Sequence, residues 1–299
     1  MVGGSAVSAP AHERFAHEAV FHDGPDALAT ELAPAVLAGM AVGDAVLVCL
    51  PDREWWPLRD ALGARAAAVV HIAPDVRYSR PGVAMATVRR FADEALAGGA
   101  ATAWSIGAIP FERTARDRRW VRYEAAVDEV LGSLPLRAVC AYDTATTPAA
   151  MLDAARRAHG PHRADPVMAP TGRPPTAPVF SLRDATPAAV RAALGRGFAG
   201  TLDAERLEDV LLIASELVTN ARRHGAPPVA VRAWSLDGGM VLEVTDRGAG
   251  LVDRYPDLRP NRGTSDGGYG WWLVGQLADD VDVANEGGRT TVTVGVRAA

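Results

Sequence analysis

Lysine is absent from all 299 residues: the 31 basic side chains are arginine without exception. That removes chemistry resting on an ammonium group, including the phosphate-gripping lysine of a Walker A loop and the lysine of a Schiff base. Cysteine is almost as scarce, with two copies, Cys49 and Cys140. Each sits inside an apolar, strand-like run ("AVLVCLP" and "LRAVCAYD"). With no signal peptide ahead of them, they are expected to be buried free thiols in a reducing cytoplasm rather than a disulfide. No apolar run approaches the roughly 20 residues that cross a bilayer, so a soluble chain with no membrane partner is expected. A positive balance is missing too: the formal net charge is −5, residues 1–170 carry 17 Arg against 20 acids, and residues 171–299 carry 14 against 16. A general nucleic-acid binder would show a basic face or stripe, so direct contact with nucleic acid is not expected.

What is present is ordinary for a globular protein, with 48% apolar and 22% charged residues. The length suffices for two domains, each with its own core. The clearest break is "GPHRADPVMAPTGRPPTAPVF", Gly160 to Phe180, where prolines recur and periodicity is lost. It divides the chain into a domain over 12–162, an extended linker over 163–178 and a second domain over 179–299. In the first domain, strand candidates "DAVLVCLP", "AAAVVHIA", "ATAWSIGAIPF" and "LRAVCAYDT" alternate with helical spacing over Pro25 to Gly39, Pro81 to Ala97, Arg119 to Leu131 and Pro148 to His159. The alternation predicts an α/β fold around a largely parallel sheet. The second domain reads as helix (Thr186 to Phe198), helix (Asp203 to His224), a hairpin "PVAVRAWSL"/"GMVLEVTD" turning at Asp237-Gly238-Gly239, a helix from near Tyr269, and strands "VDVANE" and "TTVTVGV". This order predicts an α+β layer with helices on one face of a mixed sheet.

The second domain holds the clearest chemistry. In "LEDVLLIASELVTNARRHG", 3.6 residues per turn put Glu216, Asn220 and either Arg223 or His224 on one stripe. Leu212, Ile213, Leu217 and Val218 fall toward the other side. A carboxamide oxygen suits a hard cation such as Mg²⁺, which keeps waters and substrate phosphates as its other ligands. A carboxylate one turn away can order the metal's water or take a proton. Taken alone, the stripe is more simply the solvated face of an amphipathic helix. Further on, "VTDRGAG" sets Asp246 at a strand end before Gly248 and Gly250. A carboxylate there can accept from an exocyclic amine while glycine lets the backbone approach a planar ligand. Then "SDGGYGWWLV" runs Gly267, Gly268 and Gly270 into a helix whose first N–H groups suit phosphate oxygens.

In this order and spacing, E-x-x-x-N on a helix, D-x-G-x-G and G-x-G before a helix resemble the N box and the two glycine boxes of the GHKL ATPases, the superfamily of histidine kinases, gyrase and MutL. The resemblance covers about residues 179–299 and implies the Bergerat α+β sandwich with ATP and Mg²⁺ as its ligands. It implies that Asn220 holds Mg²⁺, that Glu216 acts as base or orients water, and that Asp246 binds the adenine amine beside Gly248 and Gly250. Gly268 and Gly270 would contact the phosphates, Thr290 or Thr291 would support the adenine end, and Leu251 to Asp266 would form the lid. Trp271 departs from the aliphatic residue usual after the last glycine and is expected to narrow the pocket.

A histidine kinase of this superfamily carries its phosphoacceptor in an H-E-x-x-x-P setting just before the ATPase domain. None of the seven histidines (12, 17, 22, 71, 159, 162 and 224) has that setting. The short helix followed by "LDAERLEDVLLIASELVTNARRHG" instead resembles the anti-sigma serine kinases, which bind a sigma factor and phosphorylate a serine on a STAS-type anti-anti-sigma protein. In the first domain, "AVFHDGPDALATELAPAVLAGMAVGDAVLVCLP", "YSRPG", "RRWVRYEAAVDEVL" and "AVCAYDTATTPAAMLDAARRAHG" resemble the MEDS sensory domain. That domain is RecA-like in fold and is joined to an anti-sigma GHKL module in RsbA-type regulators. Gly160 stands where the family tends to have proline. "VCAYDT" reads either as a strand presenting Tyr142 and Asp143 to the crevice at the carboxyl end of the sheet, or as a strand end capping the next helix through Thr144 or Thr147. Without a lysine-bearing P-loop this domain is not expected to hydrolyse ATP.

Three functions are therefore expected in order: a cytoplasmic anti-sigma serine kinase, a nucleotide-dependent binding module that transfers no phosphate, and a degenerate histidine-kinase-like sensor. Homodimerisation is left open.

Overall fold

In the first half, the computed structural model turns the alternation of apolar runs and helical spacing into a parallel sheet; it describes residues 15–111, 117–160, 174–259 and 269–298. The elements are β1 (Phe15–His22), α1 (Pro25–Ala41), β2 (Ala45–Cys49), α2 (Asp52–Leu62), β3 (Val70–His71), α3 (Pro74–Arg77), α4 (Pro81–Ala97), β4 (Ala103–Gly107), α5 (Arg118–Leu131), β5 (Leu136–Asp143) and α6 (Ala149–Ala158). The sheet order is β1-β5-β4-β2-β3 and every pairing is parallel. The central strands β2, β4 and β5 are apolar almost throughout because a parallel sheet is covered on both faces. Leu28, Leu32 and Val36 of α1 and Leu58 of α2 pack with Val46, Val48, Trp104, Ile106 and Val139 in one core.

Three elements here differ from expectation. "AAAVVHIA" contributes only Val70–His71 to the sheet, while Gly63–Ala68 winds into a 3₁₀ turn. Alanine favours helical turns, and β-branched residues begin only at Val69. The helix α2 breaks the apolar pattern with Pro57 inside it, which hides it from a periodicity reading. The strand β1 is hidden by its polar residues: "FAHEAVFH" places His17 and Glu18 mid-strand, yet His17 is only 3% exposed.

In the second half come β6 (Phe180–Leu182), α7 (Pro187–Gly197), α8 (Ala204–His224), β7 (Ala230–Leu236), β8 (Gly239–Asp246), α9 (Tyr269–Leu277), β9 (Asp280–Glu286) and β10 (Arg289–Arg297). Their sheet, in the order β6-β7-β8-β10-β9, is antiparallel at every pairing rather than mixed. Tight hairpins dictate this. Asp237-Gly238 joins β7 to β8 with Gly238 at φ 71°, and Gly287-Gly288 joins β9 to β10 at φ 58° and 70°, the left-handed region that two-residue hairpins demand. The two halves form separate compact units.

Local chemistry fixes the helix starts. The Thr186 hydroxyl accepts from Ala189 N–H at 3.2 Å with Pro187 next, and the Asp203 carboxylate accepts from Arg206 N–H at 2.9 Å. Along α8, Val210, Ile213, Ala214, Leu217, Val218 and Ala221 pack on Val231, Ala233, Leu242, Val244, Val292 and Val294 of the sheet. Leu212, expected among them, is 42% exposed. At about 100° per residue it lies about 200° round from Val210 and faces away. Among the described residues no helix is long and apolar enough to cross a membrane.

Candidate functional site

One wall of the candidate cleft is the edge of α8. Its burial on the sheet fixes the helix rotation, and that rotation leaves Asn220 and His224 lining a cleft with Gly225, Asp246, Gly248, Gly250, Trp271 and Thr290. Of the two alternatives for the end of the stripe, His224 lines the cleft and Arg223 does not. Glu216 and Asn220 meet the start of α9 at Gly270. A methyl group added to Gly270 would strike the Glu216 carboxylate and lie 3.6 Å from Asn220 Nδ2. Any side chain here would displace the Glu216 carboxylate, and the carboxylate, the carboxamide and the helix N-terminus share one corner.

The opposite wall is the β8–β10 ladder. Asp246, 7% exposed at the end of β8, accepts from Gly248 N–H at 2.6 Å. This short bond orients the carboxylate, which keeps capacity for a further donor. Thr290 stands opposite Asp246 in the register and is 5% exposed. Thr291 points to the other face of the strand, its hydroxyl 3.4 Å from that of Thr245, and it does not line the cleft. Gly250, at φ 94°, turns the chain against the Asn285 side chain, which donates to Leu251 O at 3.1 Å.

Gly225 and Asn285 escaped the sequence reading. Gly225 follows α8 and reads as an ordinary helix end. Its reason lies across the cleft, where a methyl group on it would collide with the Asp246 carboxylate. The expected lid is described only to Arg259; residues 260–266 and Gly268 lie outside the described residues. In the described part Tyr255, Asp257 and Leu258 are buried, and Gly275 of α9 leaves room for the Asp257 backbone. Trp271 lines the cleft and packs on the core. The cleft formed by the described residues has a free volume of about 110 Å³, below the roughly 300–1,000 Å³ of whole ligand pockets.

Do these residues fit a nucleotide and its metal? Asn220 Nδ2 is buried without a hydrogen-bond partner, a state that costs about 1–3 kcal/mol unless a ligand resolves it. Gly270 sets the first turn of α9 beside Glu216 and Asn220, a helix start suits phosphate oxygens, and a buried carboxylate suits an amine donor. The donor set fits.

In the first half, Tyr142 is not presented to a crevice. It is 2% exposed, with its ring stacked at 5.4 Å on Phe21. Asp143 instead organises the turn after β5, accepting from Ala145 N–H at 2.9 Å and Arg53 at 3.0 Å. Burial opposes its charge, yet the Ala145 N–H, Thr146 and Arg53 hold the carboxyl below the usual range. The capping alternative is not realised either: Thr144 donates to His22 O at 3.0 Å, and α6 has no side-chain cap.

Two family models match the chain: the MEDS (methanogen/methylotroph, DcmR sensory) domain over residues 16–160, and the histidine kinase-like ATPase domain over residues 180–296. Among solved structures, the histidine kinase domain of the blue-light activated histidine kinase of Erythrobacter litoralis is similar at 22% identity, over 36% of this chain and 60% of that one, with a TM-score of 0.27. The Acinetobacter baumannii histidine kinase AdeS is similar at 15% identity, over 40% of this chain and 67% of that one, also with a TM-score of 0.27. No curated protein matches.

Proposed function

Because the chain joins a MEDS domain to a histidine kinase-like ATPase domain, we propose that it is an ATP-dependent switch that binds a sigma factor and phosphorylates a serine of a STAS-type anti-anti-sigma protein, under the control of its sensory half. The ATPase domain implies ATP as its nucleotide, with Mg²⁺. The observation that carries the choice of serine over histidine is the condition of the histidines. His17, His22 and His159 are buried, with side chains or whole residues at most 4% exposed, and His71 is stacked on Trp55 at 4.7 Å. His224 belongs to the cleft itself. No described histidine is thus offered on an exposed helix ahead of the ATPase domain; His12 and His162 lie outside the described residues.

Phosphoryl transfer needs positioning and neutralisation more than covalent help from the protein. Asp246, oriented by Gly248 N–H, would fix the base, with Thr290 beside it on the ladder. The first N–H groups of α9, opened by Gly270, would hold phosphate oxygens in the absence of any lysine. Mg²⁺ when bound, with Asn220 as its protein ligand, would neutralise phosphate charge. Glu216, against the same corner, would take the proton of the incoming serine hydroxyl.

The test is incubation of the protein with γ-labelled ATP, Mg²⁺ and STAS proteins of its organism. Acid-stable label on a STAS serine, and none on this chain, is the expected result. Acid-labile label on this chain would reject the reading in favour of a histidine kinase. Nucleotide-dependent partner affinity without transfer would replace it with a binding module.

A further inference from the structure

Away from the nucleotide cleft, the parallel-sheet unit buries a cluster with no part in the function proposed above. His17 of β1, Glu124 of α5, Cys140 of β5 and His159 just past α6 each turn one N, O or S atom inward, and the four atoms lie within 4.8 Å of one another. Nε2 of His17 is 2.9 Å from Nε2 of His159, 3.3 Å from Glu124 Oε2 and 3.4 Å from Cys140 Sγ; His159 Nε2 is 3.4 Å from Glu124 Oε2. From these distances the geometry points to a closed four-ligand site for a zinc-type divalent metal, held by two imidazoles, a thiolate and a carboxylate.

Ligand distances of about 2.0–2.3 Å in a tetrahedron set the donor atoms about 3.3–3.7 Å apart. Three of the four distances above already lie there, the remaining two pairs of donors are within 4.8 Å, and the two imidazoles need to part by about half an ångström. The outer contacts are those of metal-bound histidines. His17 Nδ1 faces the Asp128 carboxylate at 3.2 Å, and His159 Nδ1 faces the Ala155 carbonyl at 2.8 Å. Each partner can accept from Nδ1–H, which leaves Nε2 as the ligating atom. Glu124 is 6% exposed, and its Oε2 faces both imidazoles.

On binding, the Cys140 thiol proton and the proton shared by the two Nε2 atoms pass to solvent, and sulfur–metal and nitrogen–metal bonds replace the S–H and N–H bonds. Four protein ligands leave no open position, so the site has the closed character of a structural or sensing metal rather than a hydrolytic one.

The experiment uses the full chain, untagged, equilibrated with micromolar zinc, desalted and assayed for metal by mass spectrometry. A cobalt(II)-loaded sample is read by absorption. About one zinc per chain and a thiolate-to-cobalt charge-transfer band are expected. Cys140→Ser should remove that band, Cys49→Ala should keep it, and His159→Gln should lower zinc content at least tenfold. Asp128→Asn, altering only the residue that orients His17, should keep the band while weakening affinity about 10–100-fold. Absence of zinc from the wild-type chain would overturn the assignment in favour of a proton-sharing network around His17. So would zinc retained undiminished in both Cys140→Ser and His159→Gln.

Discussion

Thr290 of β10 lies directly across the ladder from Asp246 of β8, and both are buried at the same end of the cleft. The register places a hydroxyl beside the one carboxylate that a nucleotide base would meet. Asp246→Asn replaces an acceptor with a group that also carries donors, and one of its bonds, from Gly248 N–H, is already made. The mismatch should cost about 1–3 kcal/mol, or about 10–100-fold in affinity. Titration calorimetry with ATP and Mg²⁺ measures it, and unchanged affinity would remove Asp246 from the site.

Gly270→Ala separates site from scaffold. Alanine is a better helix former than glycine by about 1 kcal/mol, so the melting temperature should hold or fall only slightly. The added methyl has nowhere to go except into the Glu216 carboxylate, and nucleotide binding should drop at least tenfold. Thermal unfolding and a fluorescent-nucleotide titration on the same sample check both halves. An unfolded variant would mark the glycine as a packing residue alone.

The strands and helices that form the cleft were largely legible because each follows a strict period. The apolar face of α8 recurs every three to four residues, and β8 and β10 each follow a turn glycine, Gly238 and Gly288. What escaped depends on contacts between distant segments. Gly225 is needed only because the Asp246 side chain approaches it, and Leu212 is exposed because the core is narrower than its apolar neighbours suggest. The cluster of His17, Glu124, Cys140 and His159 has no motif spacing at all. Its members come from four elements, and polar His17 disguises the strand that carries it.

Cys49 offers a test of the parallel-sheet core that does not touch the cluster. It is fully buried, and burial pushes its thiol up to about 11, with Arg77 countering only in part. A rise of about two units leaves about a hundredfold less thiolate near neutral pH, and enclosure slows attack further. Iodoacetamide labelling at pH 8, followed at the Cys49 peptide by mass spectrometry, should be at least a hundredfold slower in the native chain than in denaturant. Comparable rates would mean that β2 is not in the centre of the sheet.

The corner where α8 meets α9 makes the sharpest distinction between binding and transfer. Asn220 and Glu216 lie one turn apart and both approach Gly270, but only Asn220 carries a buried amide nitrogen without a partner. Asn220→Ala removes the proposed metal ligand. It should weaken ATP binding in the presence of Mg²⁺ and change it little when the metal is chelated. Glu216→Gln keeps the shape of the side chain and removes its basicity, so ATP affinity should stay within about twofold while phosphoryl transfer to the STAS serine falls about 10²–10⁴-fold. Calorimetry with and without Mg²⁺, run beside a single-turnover transfer assay, gives two affinities and a rate for each variant. If both variants bind and transfer normally, the stripe is only the solvated face of an amphipathic helix. If Glu216→Gln loses binding together with transfer, the carboxylate acts by positioning α9 rather than by taking a proton.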